Sequence, residues 1–221
     1  MIVSEVGTLF RQWADEGDET FLTKADVGTY LKLGYRRFRQ VVRRVVPTFY
    51  NTSVDISLSS ADNYNLQTGA VKILGVLDAA LTHQRLSSLI KVETVDSTGE
   101  WVDDWSGAQG WGELRTHAHS YLLEGVTLRF SRDVTDTIRL RYVPVESVNW
   151  TLNEPTDAAT FIDDCAEHHA LIASYAYGFY APRDFAENPF LLQLQTQQER
   201  DFRGWLYGRV AEQSDHVAID P

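Results

Sequence analysis

Cysteine is almost missing from this chain: Cys165 is the one thiol among 221 residues. That excludes an internal disulfide framework and a multi-cysteine zinc site. No apolar run approaches the ~18 residues of a membrane-spanning helix. The opening Met1-Ile2-Val3-Ser4-Glu5 has neither a basic flank nor a long apolar stretch, so no signal peptide is expected. G-x-S-x-G, Walker A and G-x-G-x-x-G motifs are all absent, which removes the commonest sequence routes to acyl-transfer and nucleotide chemistry. Lys and Arg are missing from residues 142–182, which carry six acids instead.

What is present is ordinary in bulk and uneven in detail. Apolar residues make up 43% and charged residues 23%, values that argue against wholesale disorder. A chain of this length buries roughly 70% of its unfolded surface on folding. The net charge of −11 disfavours a surface that binds nucleic acid throughout. Yet residues 24–46 hold seven basic residues and one acid, a balance of +6 that leaves −17 to the rest of the chain. Such asymmetry more often marks interfaces than chemistry.

The periodicity reads as helices, then strands, then helices. Val3, Val6, Phe10 and Trp13 predict a helix over 2–14, with Ser4 as its cap or a frayed start. Asp15-Glu16-Gly17-Asp18 is a turn signal. Thr23 and Asp26 form a capping box ahead of Val27, Leu31, Gly34, Phe38, Val41, Val42 and Val45, one apolar stripe ended by Pro47. Lys32, Arg36, Arg39 and Arg43 are expected on the opposite face.

From about 50 to 145 the period becomes 2. Val54-Ile56-Leu58, Val126-Leu128-Phe130 and Ile138-Leu140-Tyr142 alternate with polar residues. The last two runs flank 132–136 and predict a hairpin. Runs 70–77 and 88–95 are further strand candidates, and 96–116 reads as a long loop or a short irregular hairpin. A third helix is expected over 158–178 and a fourth over 189–212, with Asn188 capping and Pro189 in the first turn. The fold expected is α+β. It comprises a four-helix bundle from both ends (1–49 and 156–212), an antiparallel β domain (50–155) inserted between helices two and three, and an extended tail, 213–221.

No constellation of residues points to catalysis, and no metal or cofactor is expected. His168 and His169 are adjacent, so on a helix they point about 100° apart and cannot chelate one ion together. His117 and His119 have strand spacing but no third ligand nearby in sequence. Cys165 sits among acids on an apolar face, which suits a core thiol better than a nucleophile. Trp101, Trp105 and Trp111 are half of the six tryptophans. They suit packing or a subunit contact, or stacking on sugars or bases. The basic stripe suits a solvated face, a protein partner or neighbouring subunit, or phosphates.

Phe21-Leu22-Thr23-Lys24-Ala25-Asp26-Val27-Gly28-Thr29-Tyr30-Leu31, after an acidic turn and before the basic run Gly34–Arg39, resembles the opening of helix two in the head-to-tail adaptor (connector) proteins of tailed bacteriophages. Cys165–Ala176, rich in small and aromatic residues, resembles their late packing helix. The resemblance covers both ends, roughly half the chain, and not the β segment. It implies a non-enzymatic structural protein of the virion, assembled in the host cytoplasm and placed at the head–tail junction. It further implies a homo-oligomeric ring, commonly of twelve copies. The ring would be docked between the portal protein and a tail or nozzle protein, with DNA passing through its lumen without specific binding and no membrane involved.

On that reading Lys32, Arg36, Arg39 and Arg43 make subunit or portal contacts. Asp157, Asp163, Asp164 and Glu167 are their acidic counterparts. Asp215 and Ile219 lie in a docking tail. Trp101, Trp105 and Trp111 form a possible contact loop. A nucleic-acid-binding module using 24–46, or a tail-surface carbohydrate-binding protein using 101–111, are the alternatives.

Overall fold

The structure, a computed structural model, describes residues 1–15, 22–75, 81–95, 98–150, 152, 162–184 and 188–215, without side chains at 103–104, 183–184 and 211–215. The chain divides into two compact units, Met1–Phe49 with Val148–Pro221, and Tyr50–Ser147.

The first unit is helical. Helix α1 (Val3–Ala14) buries Val3, Val6 and Phe10. Its cap is Ile2, not Ser4: the Glu5 carboxylate accepts the Ile2 N–H at 2.9 Å. Helix α2 (Lys24–Val45) opens on the expected capping box, in which the Thr23 hydroxyl oxygen accepts the Asp26 N–H and the Asp26 carboxylate accepts the Thr23 N–H. Helix α4 (Ala170–Asp184) and helix α5 (Pro189–Asp215) follow among the described residues of the unit. Asn188 caps α5 by accepting the Phe190 N–H at 3.0 Å. A separate short helix, α3 (Trp111–Thr116), belongs to the second unit.

These helices do not form the four-helix bundle expected. In a bundle each helix offers one apolar stripe to a shared core. Here α4 is itself the core: Leu171, Ile172, Ala173, Ser174, Tyr175, Ala176, Tyr177, Tyr180 and Ala181 are all buried, on every side of the helix. Helices α1, α2 and α5 pack around it. Helix α5 commits little of its length, with Phe202 and Leu206 fully buried and much of the rest exposed.

The third helix also starts later than expected. Asp163 accepts the Cys165 N–H at 3.0 Å, and one 3₁₀ turn, Ala166–His168, precedes α4. Residues 158–161 of the expected helix lie outside the described residues.

The closest packing is between α2 and α4. A Cβ on Gly34 would lie 2.4 Å from the Ile172 carbonyl oxygen and 2.9 Å from the Ala176 nitrogen. Only glycine permits that approach.

Among its described residues the second unit forms a mixed sheet of seven strands: β1 (Thr52–Ser57), β2 (Ala61–Asn65), β3 (Leu86–Val95), β4 (Trp101–Gly107), β5 (Ser120–Glu124), β6 (Thr127–Val134) and β7 (Thr137–Pro144). Their order is β1-β7-β3-β4-β5-β6-β2. The purely antiparallel domain expected is thus replaced by a sheet in which β4 and β5 run parallel.

The two edge strands are consecutive in sequence, and this dictates a curl. From Ser57 to Ala61 the chain reaches at most about 15 Å. Seven flat strands at about 4.8 Å spacing would put the edges about 29 Å apart. The sheet therefore bends until its edges meet. There the Leu58 N–H donates to the Asp136 carbonyl at 3.3 Å and Ser60 Oγ to Asp133 at 3.4 Å. All seven strands feed one core, with Ile56, Leu66, Ile73, Val92, Leu128, Ile138 and Leu140 nearly or wholly buried.

The alternation read for β6 and β7 holds, but their pairing differs from the hairpin expected. Strand β7 lies between β1 and β3, while β6 lies between β5 and β2. A register shift in the β2–β6 pairing, between Asn63↔Arg129 and Ala61↔Val134, turns the chain from one arm of the curl to the other. Residues 70–75 are not a strand: Ile73 sits in the core on irregular backbone, bonded to Leu66 and Leu86. Residues 76–77 of that candidate lie outside the described residues. The region read as a loop or irregular hairpin, 96–116, contains β4 and α3.

Across β1-β7-β3 runs a ladder of charge. Arg139 binds Asp55 through two bonds of 2.7 and 2.9 Å. Beside it Glu93, 2% exposed, is held by Lys91 at 2.6 Å and Arg141 at 2.7 Å. Burial works against ionisation of Glu93, but the bonds from Lys91 and Arg141 outweigh it and hold the carboxyl below its ordinary value.

Two predictions follow from these contacts. Gly34→Ala forces α2 off α4 and should destabilise the protein by about 1–3 kcal/mol, read from chemical denaturation; an unchanged midpoint would refute the contact. Glu93→Gln removes a buried charge from two cations and should lower stability by about 1–3 kcal/mol at neutral pH. Because the folded pKa is depressed, the wild type's advantage is full above the unfolded value of about 4.5 and fades as pH falls through the folded one. Denaturation at neutral and acid pH reads both.

Candidate assembly surface

The basic face of α2 is not one stripe. Lys32, Arg36 and Arg43 are exposed. Arg39 is 8% exposed, with its guanidinium carbon 5.9 Å from the Tyr35 ring centre. The expectation of Arg39 as an exposed contact is corrected by helix geometry. Arg39 follows Tyr35 by one turn and lies within about 60° of Val42 around the axis, so it borders the buried arc. Its long stem is covered there.

On the other flank of α2, side chains from three helices meet. Leu33, Arg36, Arg37 and Gln40 of α2, Tyr175, Gly178 and Phe179 of α4, and Leu192 and Gln195 of α5 line a groove of about 630 Å³. Two of its apolar side chains are open to solvent, Phe179 at 47% and Leu192 at 41%, and nearby in sequence Phe190 is 69% exposed. The lining carries two arginines, and the charge of Arg37 is felt by Glu199 beneath Tyr175.

The floor of the groove is fixed by a polar seam. The Tyr175 hydroxyl donates to Glu199 at 2.5 Å, and Arg203 donates to the same carboxylate at 3.0 Å. Ser174 donates to Gln198, the residue before Glu199 on α5. Burial, then the Glu199 charge, pushes the Tyr175 hydroxyl far up, so it remains a neutral donor. Burial resists ionisation of Glu199, but the bonds from Tyr175 and Arg203 prevail and keep it below the ordinary range. Arg37 lies over the Tyr175 ring at 5.9 Å. Its charge therefore sits at a set height above the groove.

The acidic candidates divide. Asp163 turns inward, its side chain 10% exposed. It receives the Tyr35 hydroxyl at 3.2 Å and the Cys165 N–H, and pairs with His169 Nε2 at 2.7 Å. Fully buried His169 donates from Nδ1 to the Met1 carbonyl at 3.2 Å. Asp163 thus ties α2, α4 and the start of α1 together and is no surface contact.

Asp164 and Glu167 are exposed. They line a hollow of about 500 Å³ with Trp205, Gly208 and Arg209 of α5. His168 beside them packs on Phe202 and Trp205, each 4.9 Å between ring centres, and burial pushes its pKa down. Asp157 and Ile219 lie outside the described residues. Asp215 belongs to the last turn of α5 rather than to an extended tail, as do residues 213 and 214; 216–221 lie outside the described residues.

The three tryptophans of 101–111 do not share a loop. A register shift between Val92↔Trp105 and Thr94↔Val102 flips the parity of β4. Trp105 goes into the core, stacked on His119 at 5.4 Å, while Trp101 goes to the outer face, 4.0 Å from the Arg139 guanidinium. Trp111 begins α3, 43% exposed, and donates to Glu124 at 3.3 Å with Arg129 5.0 Å from its ring.

Cys165 is fully buried, and burial together with Asp163 raises its thiol well above the ordinary value. Among the described residues no three His, Cys, Asp or Glu side chains are placed to hold a metal ion. No helix of the described residues is long and apolar enough to cross a membrane. Neither a protein-family model nor a curated protein matches this chain.

The groove is not legible in the sequence, because Phe179 and Phe190 each fall at helical spacing from apolar neighbours, as a buried stripe would. One signal was available for Phe190. It precedes Phe202 by twelve residues, which at about 100° each puts it about 120° off the buried face.

The two arginine classes should separate by substitution. Arg36→Glu should leave the melting temperature nearly unchanged. Arg39→Glu places a carboxylate in a covered site and should lower it by several degrees. Equal shifts in thermal denaturation would contradict the division.

Proposed function

We propose that this chain is a non-enzymatic structural subunit that assembles into a ring adaptor between the capsid portal and the tail of a bacteriophage. The observation that carries this is the groove between α2, α4 and α5, apolar at its centre and arginine-rich at its rim, left open on a single chain. Isolated exposed apolar residues need no explanation, whereas contiguous ones edged by charge mark contact surfaces. The likeness of Phe21–Leu31 and Cys165–Ala176 to the phage connectors points the same way. So does the charge division, +6 on α2 against −17 elsewhere.

In this role Lys32, Arg36 and Arg43 face the portal or a neighbouring copy. The strongly negative remainder lets DNA pass through the lumen without being held, since phosphate retention needs a positive lining. A tail or nozzle protein docks on the other side of the ring, which by likeness to the connectors has twelve copies.

Negative-stain imaging of the chain mixed with purified portal rings tests the reading. A second ring stacked under the portal is expected. Portal rings that look and sediment the same with and without the chain would contradict it.

A further inference from the structure

Helix α5 is lightly held. Among its described residues only Phe202 and Leu206 are buried, while Phe190, Leu192, Tyr207 and Val210 stand exposed. The hold at Phe202 runs through one histidine. His168, on the 3₁₀ turn before α4, packs its ring on Phe202 and on Trp205, each 4.9 Å between centres. Phe202 stacks in turn on Phe38 of α2 at 4.5 Å. The imidazole thus fills the space between the turn and α5. Its Nε2 is covered from solvent and has no hydrogen-bond partner.

The charges around this ring pull both ways. Glu167 on its own turn and Asp201 on α5 favour a proton on it, whereas burial, the larger influence, and the neighbouring His169 oppose one. His169 is itself tied to Asp163. Asp164 lines the same hollow as Glu167, and Arg209 of α5 lays its cation 4.6 Å over the Trp205 ring. In the neutral ring the covered Nε2 can remain a bare lone pair. Protonated, it becomes a charged N–H with no acceptor, held against two aromatic side chains. A hydrated imidazolium avoids that cost.

We infer that α5 is a strap that acid loosens, with His168 as its catch. The sign follows from linkage. Burial lowers the affinity of the packed ring for a proton, so the loosened state binds it more tightly. The packed state keeps its full advantage above the ordinary histidine value of 6.5. It loses that advantage as pH falls from there through the folded value. Glu199, which joins α5 to Tyr175, is held below the ordinary carboxylate range. Its bonds therefore persist through the window in which His168 gains its proton. Loosening has a consequence for the groove, because Leu192 and Gln195 of α5 form one of its walls. The inference goes beyond the adaptor reading and does not depend on it.

Hydrogen–deuterium exchange of the full chain at about pH 7.5 and about pH 5.5 tests it, with rates corrected for the intrinsic effect of pH. Protection of peptides covering 198–209 should fall severalfold in acid, while α1 and strands β3 and β7 keep theirs. His168→Phe keeps an aromatic ring against Phe202 and Trp205 and cannot take a proton, so it should hold α5 equally at both values. E167Q/D201N leaves His168 in place and removes the two charges that ease its protonation while packed, so it should deepen the fall.

Unchanged protection of 198–209 in the wild type would overturn the inference. So would a fall of the same size in His168→Phe, or one shared equally by every segment, which would be global unfolding. A fall in E167Q/D201N no deeper than that of the wild type would overturn it without any change to the ring itself.

Discussion

Backbone meets backbone where α2 crosses α4. The space for a side chain at Gly34 is already taken by the Ile172 carbonyl and the Ala176 nitrogen, and the rest of the helical unit depends on that approach. It lets α2 cover the small-residue face of α4 formed by Ile172, Ala173 and Ala176. Helix α4, apolar or small on nearly every side, cannot stand at a surface. It therefore becomes the post round which α1, α2 and α5 gather. With α2 seated so closely, Arg36 and Arg37 stand beside Tyr175 and Phe179 of α4. The open groove follows from packing rather than from any residue selected for binding alone.

The buried polar groups serve the same geometry. Asp163 satisfies Tyr35, Cys165 and His169 at once, and His169 reaches the Met1 carbonyl. A single carboxylate thus joins segments that are far apart in the chain. An unpaired carboxylate there would be costly, so the network fixes where α4 begins and why residues before Ala170 do not join the helix. On α5, the Glu199 cluster with Tyr175 and Arg203 sets the second wall of the groove.

Much of this was legible in the sequence, for identifiable reasons. Helix α2 announced itself through Thr23, Asp26 and a clean apolar stripe. Strands β1, β6 and β7 announced themselves through alternation, β3 through the run 88–95, and α5 through Asn188 and Pro189. Strand β2, Ala-Asp-Asn-Tyr-Asn, buries one side chain in five and leaves no period to read. Strand β4 carries Asp103 and Asp104 and a register shift, so its tryptophans fall on opposite faces while sharing odd numbers.

Strand pairing was less legible than strand position. Two strands joined by a short link suggested a hairpin, and the curl that separates β6 from β7 depends on the whole sheet. The site was legible only in pieces. Arg36 was singled out, but Arg39 looked equivalent until Tyr35 was seen to shelter it. Phe179, Leu192 and Arg37 come together only once three helices are packed.

Hydrogen–deuterium exchange tests the central claim that α4 is the buried post of the helical unit. The account predicts that α4 exchanges more slowly than α1, α2 and α5. An α4 that exchanges as fast as α5 would contradict it.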